Sequence, residues 1–185
     1  MTGFIKIISL PILLLLLLSA CSQIKSKEKA ATTKTTASSS ESSPGLSLKD
    51  DKLNALYQQY TQLTHALVTD NAREARFAAN AIIAVADKMN NGERISTHAA
   101  RLIATADIEQ QRIAYAALSN DLLVLIRQSG LQQGKLYVGF CPMAMNDKGA
   151  VWLSVDKTIQ NPYFGAKMLT CGSIQETIEE HFINK

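Results

Sequence analysis

The sequence predicts a mainly α protein, an antiparallel bundle of about four helices carrying a small C-terminal β-hairpin plus a terminal helix. Three observations predict it. From Asp50 to Ser129 apolar residues recur at offsets of 3 and 4, the period of helices with one buried face. Short polar breaks separate these runs, and short links make consecutive helices antiparallel neighbours. After Gly130 the pattern changes to period two, which marks strands.

The chain divides before the helices begin. Lys6 precedes an apolar run from Ile7 to Leu18 that holds six consecutive leucines and ends in Leu18-Ser19-Ala20-Cys21. A basic start, a short apolar centre and small residues at the end read as a secretory signal over 1–20, too short for a comfortable membrane span. The ending resembles the lipobox of bacterial lipoproteins. That resemblance implies cleavage before Cys21, lipidation of Cys21 and a membrane anchor. Residues 21–47 follow, rich in Ser, Thr, Lys and Ala with almost no apolar residues. Such a segment buries too little surface to offset its ordering entropy and reads as a disordered tether. Residues 48–185 are expected to form a single folded domain, the bundle over 48–130 and a Cys/Met-rich unit over 131–185.

The net charge of +3 comes from the leader and the tether, so residues 48–185 are neutral. A neutral domain lacks the basic footprint of nucleic-acid binding, and no nucleic-acid partner is expected.

The first predicted helix runs from Asp50 to Thr69, with Leu53, Leu56, Tyr57, Tyr60, Leu63 and Leu67 on one stripe. Asn71 is placed to cap the next, Ala72 to Met89, whose alanines favour helix and close packing. Asn90-Asn91-Gly92 ends it, Gly92 suiting a left-handed cap. A shorter helix is expected over Ser96–Ala106. The longest is expected over Asp107–Ser129, opened by a loose capping box of Asp107 and Gln110 and closed by Gly130. Gln111 and Arg112 read as helix-surface or bundle-polar residues, with Asp107 or Glu109 as exposed partners for Arg112.

In the last unit Lys135–Phe140 and Ala150–Val155 alternate as two strands of a hairpin. Cys141-Pro142 and Asn146-Asp147-Lys148-Gly149 turn the chain between them. Asn161-Pro162-Tyr163-Phe164-Gly165 is a further turn. Ser173-x-x-Glu176 has the spacing of a capping box, predicting a last helix through Ile174, Ile178 and Phe182.

This unit concentrates the sulfur. It holds Cys141 and Cys171, two of three cysteines, and Met143, Met145 and Met168, three of five methionines. Soft thiolates and thioethers select soft ions such as Cu(I). The candidate metal ligands are Cys141, Met143, Met145, Met168 and Cys171, with His98 a further candidate on the short helix. A purely structural reading stays open beside this one. Methionines are good core filler. A Cys141–Cys171 disulfide would close a loop of about 30 residues, stabilising by roughly 3.5 kcal/mol in the chain-entropy model.

Several strings in order carry a wider resemblance: Asp107-Ile108-Glu109-Gln110-Gln111-Arg112, Cys141-Pro142-Met143-Ala144, Lys148-Gly149-Ala150-Val151-Trp152-Leu153-Ser154, Asn161-Pro162-Tyr163-Phe164-Gly165 and Lys167-Met168-Leu169-Thr170-Cys171-Gly172. Residues from about Ala99 to Gly172 resemble an uncharacterised family of bacterial periplasmic lipoproteins. The family's domain is also fused to adaptor subunits of heavy-metal, copper-type efflux pumps. The resemblance implies a protein facing the periplasm, with metal-efflux components as partners. A second similarity is to small heavy-metal-binding modules with Cys-Pro-Met-His and a later Cys-Gly. Here Ala144 stands in place of that His, which removes an imidazole donor.

No catalytic constellation accompanies the sulfur. Gly-x-Ser-x-Gly and His-Glu-x-x-His are absent, and Gly-Leu-Gln-Gln-Gly-Lys at 130–135 is one residue short of a P-loop. No enzyme is expected. Two readings follow. One is a lipid-anchored cell-envelope protein that binds or handles a soft heavy-metal ion such as Cu(I) in efflux or homeostasis. The other is a non-metallated protein-interaction module with a structural Cys141–Cys171 disulfide.

Overall fold

The computed structural model describes residues 45–180. The predicted signal, Cys21 and the tether up to residue 44 lie outside the described residues, as do residues 181–185. No described helix is long and apolar enough to cross a membrane.

The bundle forms as its periodicity predicts. Helix α1 (Asp51–Val68) begins after Asp50, whose carboxylate accepts the Leu53 N–H at 2.9 Å. That satisfies one of the donors a first helical turn leaves unpaired. Leu53, Leu56, Tyr57, Tyr60, Leu63 and Leu67 are all buried. Helix α2 (Ala72–Ala86) is capped by Asn71, which accepts from Glu74 N–H at 3.1 Å. It buries Ala75, Ala78, Ala79, Ile82 and Ala86, small side chains that let neighbouring backbones approach. Helix α3 (Glu93–Ile103) starts three residues earlier than expected and buries Ile95, Ala99 and Leu102. Gly92 is not a left-handed cap. Its φ is −85°, and what demands glycine there is space, because a Cβ would lie 2.0 Å from the Ala86 carbonyl oxygen. Helix α4 (Ile108–Ser129) starts at Asp107, which accepts from Glu109 N–H at 2.8 Å. Gly130 closes it at φ +80° and donates to Ile126 O at 2.8 Å. Consecutive helices pack on one another, and α4 returns to α1.

Arg112 takes the bundle-polar alternative and keeps Glu109 as a partner, but it is not the exposed residue of a surface pair. It is 1% exposed. Its Nη2 donates to Asp70 Oδ1 at 2.6 Å and to Leu67 O at 3.0 Å. Nη1 donates to Glu109 Oε1 at 2.8 Å, and Nε to Pro162 O at 2.9 Å. A buried charge survives only when paired and hydrogen-bonded on every side, and Arg112 meets that condition. In doing so it joins the α1–α2 corner, α4 and the Asn161–Gly165 turn. Gly165 sits against this cluster at φ +54°, and a Cβ there would lie 2.4 Å from Asp70 Oδ1. Gln111 is equally buried and donates to Ala72 O at 3.0 Å and Thr105 O at 2.9 Å.

Among the described residues, two small sheets accompany the bundle. Strand β1 (Ser47–Leu48) pairs antiparallel with β2 (Leu131–Gln133). Sequence alone missed both, because segments this short carry no periodicity. Strand β3 (Lys135–Cys141) is central in the second sheet, between β4 (Ala150–Ser154) and β5 (Ser173–Glu179). The β3–β4 hairpin has the expected place, with Gly139 opposite Trp152 and Cys141 opposite Ala150.

The terminal helix is a correction. Ser173–Glu179 is strand β5, running antiparallel to β3 from Lys135↔Glu179 to Phe140↔Ser173. The spacing of four between Ile174 and Ile178 fits a strand as well as a helix. The alternation across Ile174, Glu176 and Ile178 is period two, and these three are the half-buried positions. The edge that β3 offers satisfies the backbone of this segment, which decides the matter. Phe182 lies outside the described residues.

Aromatic rings link bundle and sheet. Tyr60 and Tyr115 stack at 5.4 Å, Tyr115 meets Tyr163 at 5.6 Å, and Tyr163 meets the edge of Trp152 at 6.3 Å. Leu153 N–H on β4 donates to the Tyr60 hydroxyl at 3.0 Å, and that hydroxyl also accepts from Tyr115 at 2.7 Å. Burial raises the pKa of each of these tyrosines, so all three remain neutral hydrogen-bonding groups.

Candidate functional site: a three-sulfur cluster

Cys141 ends β3 and is fully buried, held by its pairing with Ala150. The ladder stops there because Pro142 has no N–H to donate. Met143 follows in the turn and is 45% exposed. Met145, Asn146 and Asp147 then adopt φ of 57°, 55° and 60°. A run of left-handed residues costs about 1–2 kcal/mol each for side chains other than glycine. Asn and Asp tolerate that region, whereas Met145 does not. The turn returns through Gly149 at φ +78°, where a Cβ would lie 2.4 Å from the Phe140 ring.

Cys171 comes from a different loop. Asn161 holds that loop in place and is fully buried. Its Nδ2 donates to Cys171 O at 2.8 Å, its Oδ1 accepts from Tyr163 N–H at 2.8 Å, and its own N–H donates to Leu169 O at 2.8 Å. Tyr163 donates its hydroxyl proton to Val151 O on β4, which fastens the turn to the sheet. Gly172 follows Cys171 at φ +130°, where a Cβ would lie 2.7 Å from Phe140 O and 2.9 Å from Trp152. The loop can therefore lie flat on the end of β3 only with glycine at 172.

The two loops meet at sulfur. Cys141 Sγ and Cys171 Sγ are 4.0 Å apart, and Cys171 Sγ is 4.0 Å from Met143 Sδ. Both cysteines are free thiols. The Cys171 thiol is pushed up, first by desolvation and then by the Cys141 thiol beside it. Sulfur–metal bonds of about 2.3 Å set three donors roughly 4.0 Å apart in a trigonal plane, and two edges of this cluster have that length. The same separation is ordinary contact between packed sulfur atoms, so geometry alone fits either use.

The other candidates are not part of this contact. Met145 is half-buried and packs on the core. Met168 is half-buried at the end of a 3-10 turn, Gly165–Lys167, and its carbonyl accepts from Cys171 N–H at 3.1 Å. His98 is engaged elsewhere. Its Nε2 lies 3.0 Å from Asp121 Oδ2, a carboxylate that Arg94 also holds at 2.7 Å. Among the described residues no three His, Cys, Asp or Glu side chains are grouped to hold a metal ion. The donor set is thus two thiols and a thioether. Beside it runs a groove of about 620 Å³ lined by Met143, Met145, Ile113, Tyr163 and Phe164.

Residues 56–134 match a family described as a protein of unknown function, DUF3347. The DUF3347 stretch covers α1 from Leu56 through α4 to Gly134, including Arg112, and stops one residue before β3. The three sulfurs lie beyond it. No curated protein and no solved structure matches the chain. An uncharacterised family is thus found over the helices; it shares only residues 99–134 with the stretch from Ala99 to Gly172 that the sequence pointed to. Asn161 and Arg112, which build the site's support, were legible only as parts of the Asn-Pro-Tyr-Phe-Gly and Asp-Ile-Glu-Gln-Gln-Arg strings, without a role.

Proposed function

We propose that the chain is a lipid-anchored cell-envelope protein that holds one soft ion, Cu(I) or its like, in a metal-efflux or homeostasis setting. Cys141, Met143 and Cys171 are the donors, and the role is binding and hand-over with no catalysis. The observation that carries the reading is the convergence of three sulfurs from two separate loops at 4.0 Å spacing. Two thiolates and a thioether suit a soft monovalent ion. Zinc prefers four nitrogen, oxygen or thiolate ligands, which this group does not supply. Met143 keeps the cluster reachable from solvent, and the leader and Cys21 would keep the protein at a membrane facing the periplasm, near efflux components.

The second reading, a module with a permanent structural bridge, draws on the burial of Cys141 and its closeness to Cys171. A Cu(I) titration of the reduced protein against a competing chelator separates the two. Tight binding lost in both Cys141→Ser and Met143→Leu supports the ion site. No binding by the reduced wild type leaves only the bridge. Anchoring is tested apart from this: Cys21→Ser should release the protein from membranes, and unchanged membrane association would contradict it.

A further inference from the structure

We propose that the ion-loaded dithiol and an ion-free Cys141–Cys171 disulfide are two exclusive states of one site, exchanged by a small-molecule disulfide. The inference rests on the ion-holding reading above. It starts from an asymmetry. Cys141 is fully buried at the end of the β3 ladder, whereas Cys171 is partly exposed beside the exposed Met143. A disulfide reagent therefore meets Cys171 first. The main chain at Cys171 is held on both sides, by Met168 O through its N–H and by Asn161 through its carbonyl. Bringing the sulfurs from 4.0 Å to a bond of about 2.05 Å falls to side-chain rotation.

The chemistry balances with an external disulfide RSSR. The Cys171 thiolate attacks one sulfur of RSSR, an RS–S bond breaks and one RS⁻ leaves. The Cys141 thiolate then attacks Cys171 Sγ, expels the second RS⁻ and closes the bridge. Two electrons pass from the thiol pair to RSSR, and the two protons of the thiols end on the two RSH released. If an ion is bound when this happens, the site loses both thiolates and keeps only the Met143 thioether. The released thiolate is itself a soft ligand and carries the ion away. Met143 cannot join the bridge, so it serves the ion-holding state alone.

The test uses the full chain in detergent with Cys21→Ser, so that Cys141 and Cys171 are the only thiols. Ag(I) is the probe because it is soft and monovalent and does not change oxidation state here. The reduced protein is first titrated with Ag(I) alone. It is then placed in mixtures of oxidised and reduced glutathione, with and without one equivalent of Ag(I), and followed by thiol counting and mass. The proposal expects an intramolecular bridge that excess reduced glutathione reopens. It expects Ag(I) to slow closure by about tenfold or more, and closure to weaken Ag(I) binding by about 100-fold or more. Cys141→Ser should stop at a persistent glutathione adduct on Cys171, and Cys171→Ser should leave Cys141 unmodified. A bridge that never forms, or that reduced glutathione cannot reopen, overturns the proposal. So does the opposite pattern in the two Ser variants. Bound Ag(I) with unhindered closure overturns the exclusion alone. Failure of the reduced protein to bind Ag(I) overturns the ion reading and the exclusion with it.

Discussion

The helical bundle and the β3–β5 unit are held by different means. In the bundle, position is set by many interchangeable apolar contacts. Leu53, Leu56, Leu63, Leu67, Leu118 and Leu122 are all fully or almost fully buried, and a core of this kind accepts other side chains of similar volume. In the β3–β5 unit, position is set by single residues that cannot be exchanged. Gly139 lies under Trp152, where a Cβ would come within 2.3 Å of the indole, and Gly172 lies under Phe140. Asn161 alone holds the carbonyl of Cys171. The bundle is a scaffold with tolerance, and the sheet end is a fitted site. Arg112 is the joint between them, because one guanidinium reaches Leu67 O on α1, Asp70 beyond it and Pro162 O in the site loop.

Breaking the joint should have the largest effect. Arg112→Met removes the hydrogen bonds to Asp70, Glu109, Leu67 O and Pro162 O, while the two carboxylates it leaves stay reachable by water. A loss of about 2–4 kcal/mol is expected from the lost charge-assisted bonds and the Pro162 carbonyl left without its donor, read by urea unfolding. A loss below about 1 kcal/mol would mean the two regions are not joined there. Asn161→Ala should come next, at about 1–3 kcal/mol for two buried partners left without a hydrogen bond. Its signature is regional: weaker Ag(I) binding with the helical circular dichroism retained. Equal damage to both readouts would argue that site and scaffold are one unit.

Acid should loosen the joint in a defined direction. Burial of Asp70 works against its charge. The hydrogen bonds from Arg112 and the Ala166 N–H, with the charges of Arg112 and Lys167, outweigh this and hold its carboxyl below the ordinary range. A carboxyl lowered in the folded state contributes stability that is intact above its unfolded pKa of about 3.9 and lost as pH falls through the lower folded value. Stability should therefore decline below about pH 4, and Asp70→Asn should flatten that decline. An unchanged acid slope in Asp70→Asn would place the titration elsewhere. The smallest effect should be a gain. Asp147→Gly relieves a left-handed residue at φ +60° in an exposed turn and should raise stability by up to about 1 kcal/mol. A fall in the unfolding midpoint would show that the turn is held by the aspartate side chain.

Legibility divides along the same line. The helices were readable because their stripes repeat, and an error at one residue does not change the period. The hairpin was readable from the alternation on each side of the Cys-Pro turn. The segment Ser173–Glu179 misled because Ser-x-x-Glu is local, whereas its strand state depends on a distant partner strand, β3. The cysteines and methionines were visible as donors, but sequence could not sort them. Met143 lies in a turn that sets it against Cys171, while Met145, two positions on, packs against the core instead. For Arg112 the sequence offered its helix neighbour Glu109 but not its burial, which depends on partners from two distant segments, the α1–α2 corner and the Asn161–Gly165 turn.

If Cys141, Met143 and Cys171 together hold a soft ion, X-ray absorption at the copper edge of the reduced, Cu(I)-loaded protein will show a first shell made only of sulfur, without the outer-shell scattering of an imidazole. Met143→Leu will show one sulfur fewer. A shell containing nitrogen or oxygen, or a protein that retains no copper after desalting, would contradict the three-sulfur site.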